Sequence, residues 1–219
     1  MKKRIIALLA ALTLVAAISF AQTTFGIRAG VNFQNINGKD EGGDKLENDL
    51  ILGYHAGFNA EIPVAPDFYF QPGLLFSTKG AKDAEDNFET KINLAYVELP
   101  LNLLYKPLLG NGHLILGFGP YVAYGIGGKV KLAVDGSETD YDVKFKNKVT
   151  SSDDEDVFYV KGIDAGANLF FGYEFPIKVS FQLNAQLGLL NLEPEYEGET
   201  DAETIVKNTG FGFSVGYRF

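Results

Sequence analysis

Residues 25–34 read FGIRAGVNFQ, and this stretch decides what kind of fold the chain can build. Phe25, Ile27, Ala29, Val31 and Phe33 fall on one side of an extended backbone. Gly26, Arg28, Gly30 and Asn32 fall on the other. A period of two is the mark of a strand with unlike faces. Residues 52–62 repeat the pattern, with Leu52, Tyr54, Ala56, Phe58, Ala60 and Ile62 opposed to Gly53, His55, Gly57, Asn59 and Glu61. It recurs over residues 68–77, 96–105, 114–124, 163–174, 177–188 and 211–219. The expected fold is therefore all-β, an antiparallel up-and-down barrel of about eight strands, the smallest size usual for barrels that cross a membrane.

The side that faces inward follows from what each face is made of. One face is continuous, bulky and aromatic. The other is glycine with Asn, Gln, Ser and a few charges. Glycine covers a solvated surface poorly but fits the crowded interior of a narrow barrel. The apolar face is thus expected to look out at lipid and the polar face to fill the lumen. A soluble lipocalin-like binder would need the opposite polarity.

Connection lengths alternate in the same sense. Short turns at residues 63–67, 107–112 and 175–177 contrast with long polar segments at 35–50, 80–90, 128–161 and 193–203. This pattern puts both ends of the barrel on the short-turn, periplasmic side. The acids sort likewise: 23 of the 28 Asp and Glu lie in the long segments, and none is on an apolar face. Within residues 129–149, alternation around Asp135-Gly136 predicts a hairpin projecting past the membrane.

The 219-residue chain suits a single domain, and its lack of cysteine excludes disulfides and thiolate chemistry. Lys2, Lys3 and Arg4, then an apolar run, then Ser19-Phe20-Ala21, read as an export signal over residues 1–21, with the barrel in 22–219. Its removal takes three positive charges from a formal net charge of −9, leaving −12. So acidic a chain is a poor partner for nucleic acid.

The first strand, the Phe70-Gln71-Pro72-Gly73-Leu74 and Val97-Glu98-Leu99-Pro100-Leu101 segments and the ending Gly216-Tyr217-Arg218-Phe219 resemble the outer membrane protein beta-barrel domain family. Porin-family and PorT-like proteins of Bacteroidetes-type bacteria belong there. The resemblance implies an integral outer-membrane location and contact with outer-membrane lipid and lipopolysaccharide. It also implies that Tyr217 and Phe219 form the terminal signal read by the barrel-assembly machinery. A surface or secretion partner is the further expectation.

Arg28, Glu61, Glu98, Glu174, Lys178 and Arg218 are the expected lumenal charge network, either a salt-bridged plug or an ion path. The acid-rich loops, with alternating acids from Glu193 to Glu203 and the run Asp153-Asp154-Glu155-Asp156, read as a solvated surface, and no EF-hand spacing assigns a metal. Catalysis by a serine nucleophile needs a paired histidine. On this strand map His55 faces the lumen and His113 abuts a short turn, and neither sits at a lipid-facing, membrane-embedded position beside a serine, so no catalytic residue is expected, and no cofactor either. The leading expectation is a non-enzymatic barrel that binds or shields through its acidic loops. The alternative is a narrow porin or secretion-apparatus component.

Overall fold

The alternating stretches become long strands in the computed structural model, which describes residues 22–40, 42–85, 87–154, 156–198 and 204–219. The expected export signal lies outside the described residues, as do Glu155, Glu199, Asp201 and Glu203 of the acidic loops. In chain order the strands are β1 (Thr24–Lys39), β2 (Ile51–Ala65), β3 (Phe68–Glu85), β4 (Phe88–Tyr105), β5 (Leu108–Leu109), β6 (Gly112–Val134), β7 (Ser137–Phe145), β8 (Lys148–Val149), β9 (Val157–Val160), β10 (Ile163–Glu174), β11 (Val179–Gly188), β12 (Glu195–Tyr196) and β13 (Ile205–Arg218).

Eight of these close a ring. Antiparallel pairing runs β1–β2–β3–β4–β6–β10–β11–β13 and returns to β1 through Ile27↔Tyr217 and Val31↔Phe213. Closure leaves no unpaired edge around the ring. The long apolar side chains point outward: Phe25, Phe58, Phe118, Leu169 and Phe171 are all more than half exposed. Aromatic pairs gather toward the two ends of this outer face. Phe68–Tyr105, Tyr173–Phe175 and Tyr217–Phe219 sit at the short-turn end, and Phe33–Phe211 and Tyr54–Phe76 toward the other. Two such girdles border the lipid-facing band of outer-membrane barrels.

Inside, glycine makes room for inward side chains of the adjacent strands. A Cβ on Gly117 would overlap the Phe170 ring and stand 2.7 Å from Leu104. One on Gly30 would overlap the Phe213 carbonyl and stand 2.7 Å from His55.

The turns carry the expected chemistry. Asp135 and Gly136 have φ of 50° and 82°, as a two-residue hairpin turn of the type that matches strand twist requires. The hairpin pairs immediately on either side of this turn, with Val134↔Ser137 and Lys129↔Asp142 in register. Lys178 closes the turn after Phe175 with φ 64°, so β11 begins at Val179 rather than at Ile177.

The largest difference from expectation is on the long-loop side. Residues 80–90 are not a loop. β3 and β4 stay paired to Glu85↔Phe88, and β6 continues beside β4 to Val134. The inner face of this extension is apolar: Leu94, Tyr96, Tyr121, Val130 and Val143 form a buried cluster flanked by Ile92, Leu132, Tyr141 and Phe145. A strap then crosses this end. β12 pairs with β8, Leu192 is buried, and its carbonyl accepts from the Lys161 N–H.

Replacing Gly117 by Val should lower unfolding free energy by about 1–3 kcal/mol through overpacking against Phe170. Urea unfolding of the refolded barrel in detergent micelles measures this, and an unchanged midpoint would show that the lumen is looser than described.

Candidate functional site

The interior is where the chain concentrates its ionisable groups, and they lie in two layers. The layer at the short-turn end is built from the last inward positions of β2, β10 and β13, and from Lys106 just past β4. Lys106 Nζ bridges Glu61 at 2.8 Å and Glu174 at 2.9 Å. Arg218 pairs with the other oxygen of Glu61, to which Gln71 also donates. Two cations thus balance two carboxylates.

The second layer lies toward the long-loop end. Lys79 Nζ sits 2.9 Å from Asp164 and 3.2 Å from Glu98, with its ammonium 4.1 Å from the centre of the Tyr121 ring. The Tyr121 hydroxyl and the Asn208 amide donate to Asp164, and Gln186 donates to Glu98. Lys79 is 2% exposed and Asp164 and Tyr96 are 0% exposed. Buried charges of this kind persist only when paired and hydrogen-bonded.

Between the layers lies a polar cavity of about 50 Å³, lined by Arg28, Gln34, Glu98, Asn102, Asn184 and Gln186 among others. That is room for a few waters. Arg28 forms no salt bridge with a described residue. Its guanidinium lies 5.8 Å from the Phe170 ring centre, and its Nε has no hydrogen-bond partner among the described residues. A wider hollow of about 290 Å³ opens at the short-turn end around Glu61, Lys106, Glu174 and Arg218.

The sequence-predicted residues therefore divide. Glu61, Glu174 and Arg218 meet in one layer, Glu98 belongs to the other, and Arg28 lies between them. Lys178 is a correction. It sits exposed in the β10–β11 turn, because the apparent alternation through Ile177 and Lys178 is turn sequence with a left-handed residue at its end. Lys79 and Lys106, the cations central to both layers, were not among the predicted residues, nor was Asp164. Phase could have found them: Lys79 continues the inward series Gln71, Gly73, Leu75, Ser77, and Lys106 continues Glu98, Pro100, Asn102, Leu104.

His55 faces the lumen, where the strand map puts it, and it has a serine beside it there. Ser214 Oγ lies 2.9 Å from His55 Nε2, and Asn32 Oδ1 lies 2.8 Å from His55 Nδ1. The order Asn–His–Ser is that of a nucleophilic relay. However, Ser214 is 0% exposed, and Asn184 donates to the same oxygen at 2.6 Å. A substrate carbonyl has no approach to that oxygen, so the three residues act as a tie joining β1, β2 and β13.

Outside the ring, the loops are held by ion pairs as well. Lys146 and the Thr150 N–H bond Asp153 and hold its carboxyl down at about 2.

The model of the family described as outer membrane protein beta-barrel domain matches residues 7–219. This chain belongs to that family. The closed ring is accordingly an integral outer-membrane barrel, its apolar face against lipid, and the acid-rich loops mark its extracellular end. None of the curated protein sequences matches it. Among solved structures it is distantly similar to Ail, the attachment invasion locus protein of Yersinia pestis, in complex with the heparin analogue sucrose octasulfate (14% identity, TM-score 0.41, 90% of this chain and 99% of that one). Neisserial surface protein A gives 10% identity and a TM-score of 0.44 over 89% of this chain and 97% of that one. A major outer membrane protein from Thermus thermophilus gives 16% and 0.44 over 90% and 100%.

Lys79→Met should cost the barrel about 3–5 kcal/mol, because it strands Asp164 and Glu98 as buried charges. Adding Asp164→Asn should recover part of the loss. Urea midpoints of the two variants test this, and equal midpoints for Lys79→Met and the unaltered barrel would remove the layer from the stability argument.

Proposed function

We propose that this barrel is a non-enzymatic, closed outer-membrane anchor that works through what it presents outside the cell. The observation that carries the reading is the sealed lumen. The Lys79–Glu98–Asp164 layer spans it, and the apolar cluster of Leu94, Tyr96, Tyr121, Val130 and Val143 lies above that layer. Below it, the polar cavity has room for only a few waters, so the periplasmic hollow is blind. What remains for contact with a partner is the rigid sheet formed by the extended β3, β4, β6, β7 and β9, together with the acidic loops around it.

A narrow porin or secretion component would instead need a continuous aqueous path. Planar-bilayer recording separates the two readings. The unaltered barrel should give no steady unitary conductance, whereas discrete, lasting openings would overturn the closed-anchor reading in favour of transport.

The chain terminus fits the assembly role that the family resemblance implies. Tyr217 and Phe219 are both exposed on the outer face near the periplasmic rim, their rings 5.4 Å apart. The Phe219 N–H closes the ring onto the Phe25 carbonyl. Removing Phe219 should reduce the heat-modifiable, folded band recovered from outer membranes while refolding in detergent proceeds. Loss of both would assign the residue to barrel stability rather than to recognition by the assembly machinery.

A further inference from the structure

The outer face of the sheet above the lipid band carries a group of cations that the acidic balance of the loops hides. Strand β4 keeps one phase throughout: Tyr105, Leu103, Leu101, Leu99 and Val97 face lipid, followed on the same face by Ala95, Asn93 and Lys91. Its neighbours are in register with it. Lys82 of β3 lies opposite Lys91, which lies opposite Lys131 of β6, and Asn93 lies opposite Lys129. Three lysines thus stand side by side in one row across three strands, with a fourth in the row nearer the membrane.

Like charges placed directly opposite each other weaken a sheet, so this row has a cost in the isolated protein. Three carboxylates from flanking rows and strands offset part of it, one of them Asp49, whose backbone bridges that of Lys82. Glu89 bonds both Lys82 and Lys91, and Asp140 lies within 3.6 Å of Lys129 and 3.7 Å of Lys131. The Glu89 hydrogen bond raises the pKa of Lys82, so that ammonium stays charged. Asp142, opposite Lys129 on β7, and the Lys144–Asp154 pair bound the group on that side. Among the described residues of β3, β4 and β6 themselves, no carboxylate lies on this face between the lipid band and Glu89. The four lysines remain one-third to three-fifths exposed.

The height of the group identifies its ligand. Asn93 and Lys91 lie two and four residues beyond Ala95. At about 3.3 Å per residue and a strand tilt of about 40°, this is about 5–10 Å above the edge of the lipid band. It is the level of lipid headgroups, on the extracellular side, in direct continuity with a lipid-facing surface. Ammonium groups at that depth attract anionic headgroups, and lysine serves as a point-charge ligand for phosphate.

We propose that Lys82, Lys91, Lys129 and Lys131 form a binding site for the phosphate of a phosphorylated glycolipid in the outer leaflet. Such a phosphate would relieve the repulsion within the row and fasten the base of the extracellular sheet to the membrane surface. The site does not depend on whether the lumen conducts.

Native mass spectrometry of the full barrel released from micelles, titrated with phosphorylated lipid A, phosphatase-treated lipid A or phosphatidylglycerol, tests the site. The unaltered barrel should retain phosphorylated lipid A about tenfold or more in preference to the phosphatase-treated form, and also in preference to phosphatidylglycerol. Lys91→Gln with Lys131→Gln should bring the first preference close to unity, with the folded state checked by heat modifiability. Glu89→Gln removes the carboxylate that holds two of the lysines and should strengthen retention. Equal retention of the two lipid A forms, or weaker retention in Glu89→Gln, would overturn the proposal. Retention of phosphatidylglycerol equal to that of lipid A would overturn the glycolipid assignment.

Discussion

A sheet placed in hydrocarbon cannot leave a backbone polar group unpaired, so it has to close on itself. In this chain the closing pairs are β6 with β10 and β13 with β1. Closing with eight strands has a further consequence, because it leaves a lumen too narrow to be an open pore and too polar to be left empty. Glycine at positions such as Gly30 and Gly117 lets large side chains of the adjacent strands enter that space. The groups that fill it must then satisfy each other. Arg28, Lys79, Lys106 and Arg218 face Glu61, Glu98, Asp164 and Glu174, so the interior is electrically neutral although the chain is strongly acidic.

That neutrality fixes where the net charge lies. Asp67 and Lys178 offset each other at the periplasmic turns. The whole −12 expected for the exported chain therefore belongs to the strand extensions and loops on the extracellular side. Such a partition suits a membrane protein, in which charge on the lipid face is costly and charge in a narrow lumen must be paired. It also explains why the lysine row is hard to see in the sequence. Lys82, Lys91, Lys129 and Lys131 are dispersed among more numerous acids, and only the register brings them together on one face.

Much of the fold was legible because alternation with period two survives wherever the two faces meet unlike surroundings. Lipid on one side and a crowded polar lumen on the other give that contrast over the membrane span. The face assignment, the side on which the loops lie and the Asp135-Gly136 turn could all be read from it. Beyond the lipid band the contrast inverts. The outer face turns charged and the inner face turns apolar, so residues 80–90 look like a loop when read for hydrophobicity alone. On β6 the pattern also slips, since Tyr96 pairs with Gly125 and Ala95 with Gly127, leaving Ile126 as an extra residue. Past that bulge, every side chain of β6 changes face relative to simple alternation.

The interior was less legible for a different reason. Alternation tells which residues face inward but not the height at which residues from different strands meet, because that depends on the stagger of the closed ring. Glu98 and Glu174 both lie on polar faces, yet the stagger places Glu98 beside Lys79 and Glu174 beside Lys106. The same stagger brings Ser214, near the end of the chain, onto His55 of β2. A contact separated by 159 residues cannot be found by inspecting either strand alone. The stagger also decides the chemistry, since it sets Asn184 against Ser214 and so turns a possible relay into a tie between neighbouring strands. Both charged layers of the lumen are committed to their own partners, whereas on the outer face above the lipid the register sets like charges side by side and leaves carboxylates of flanking rows and strands to hold them.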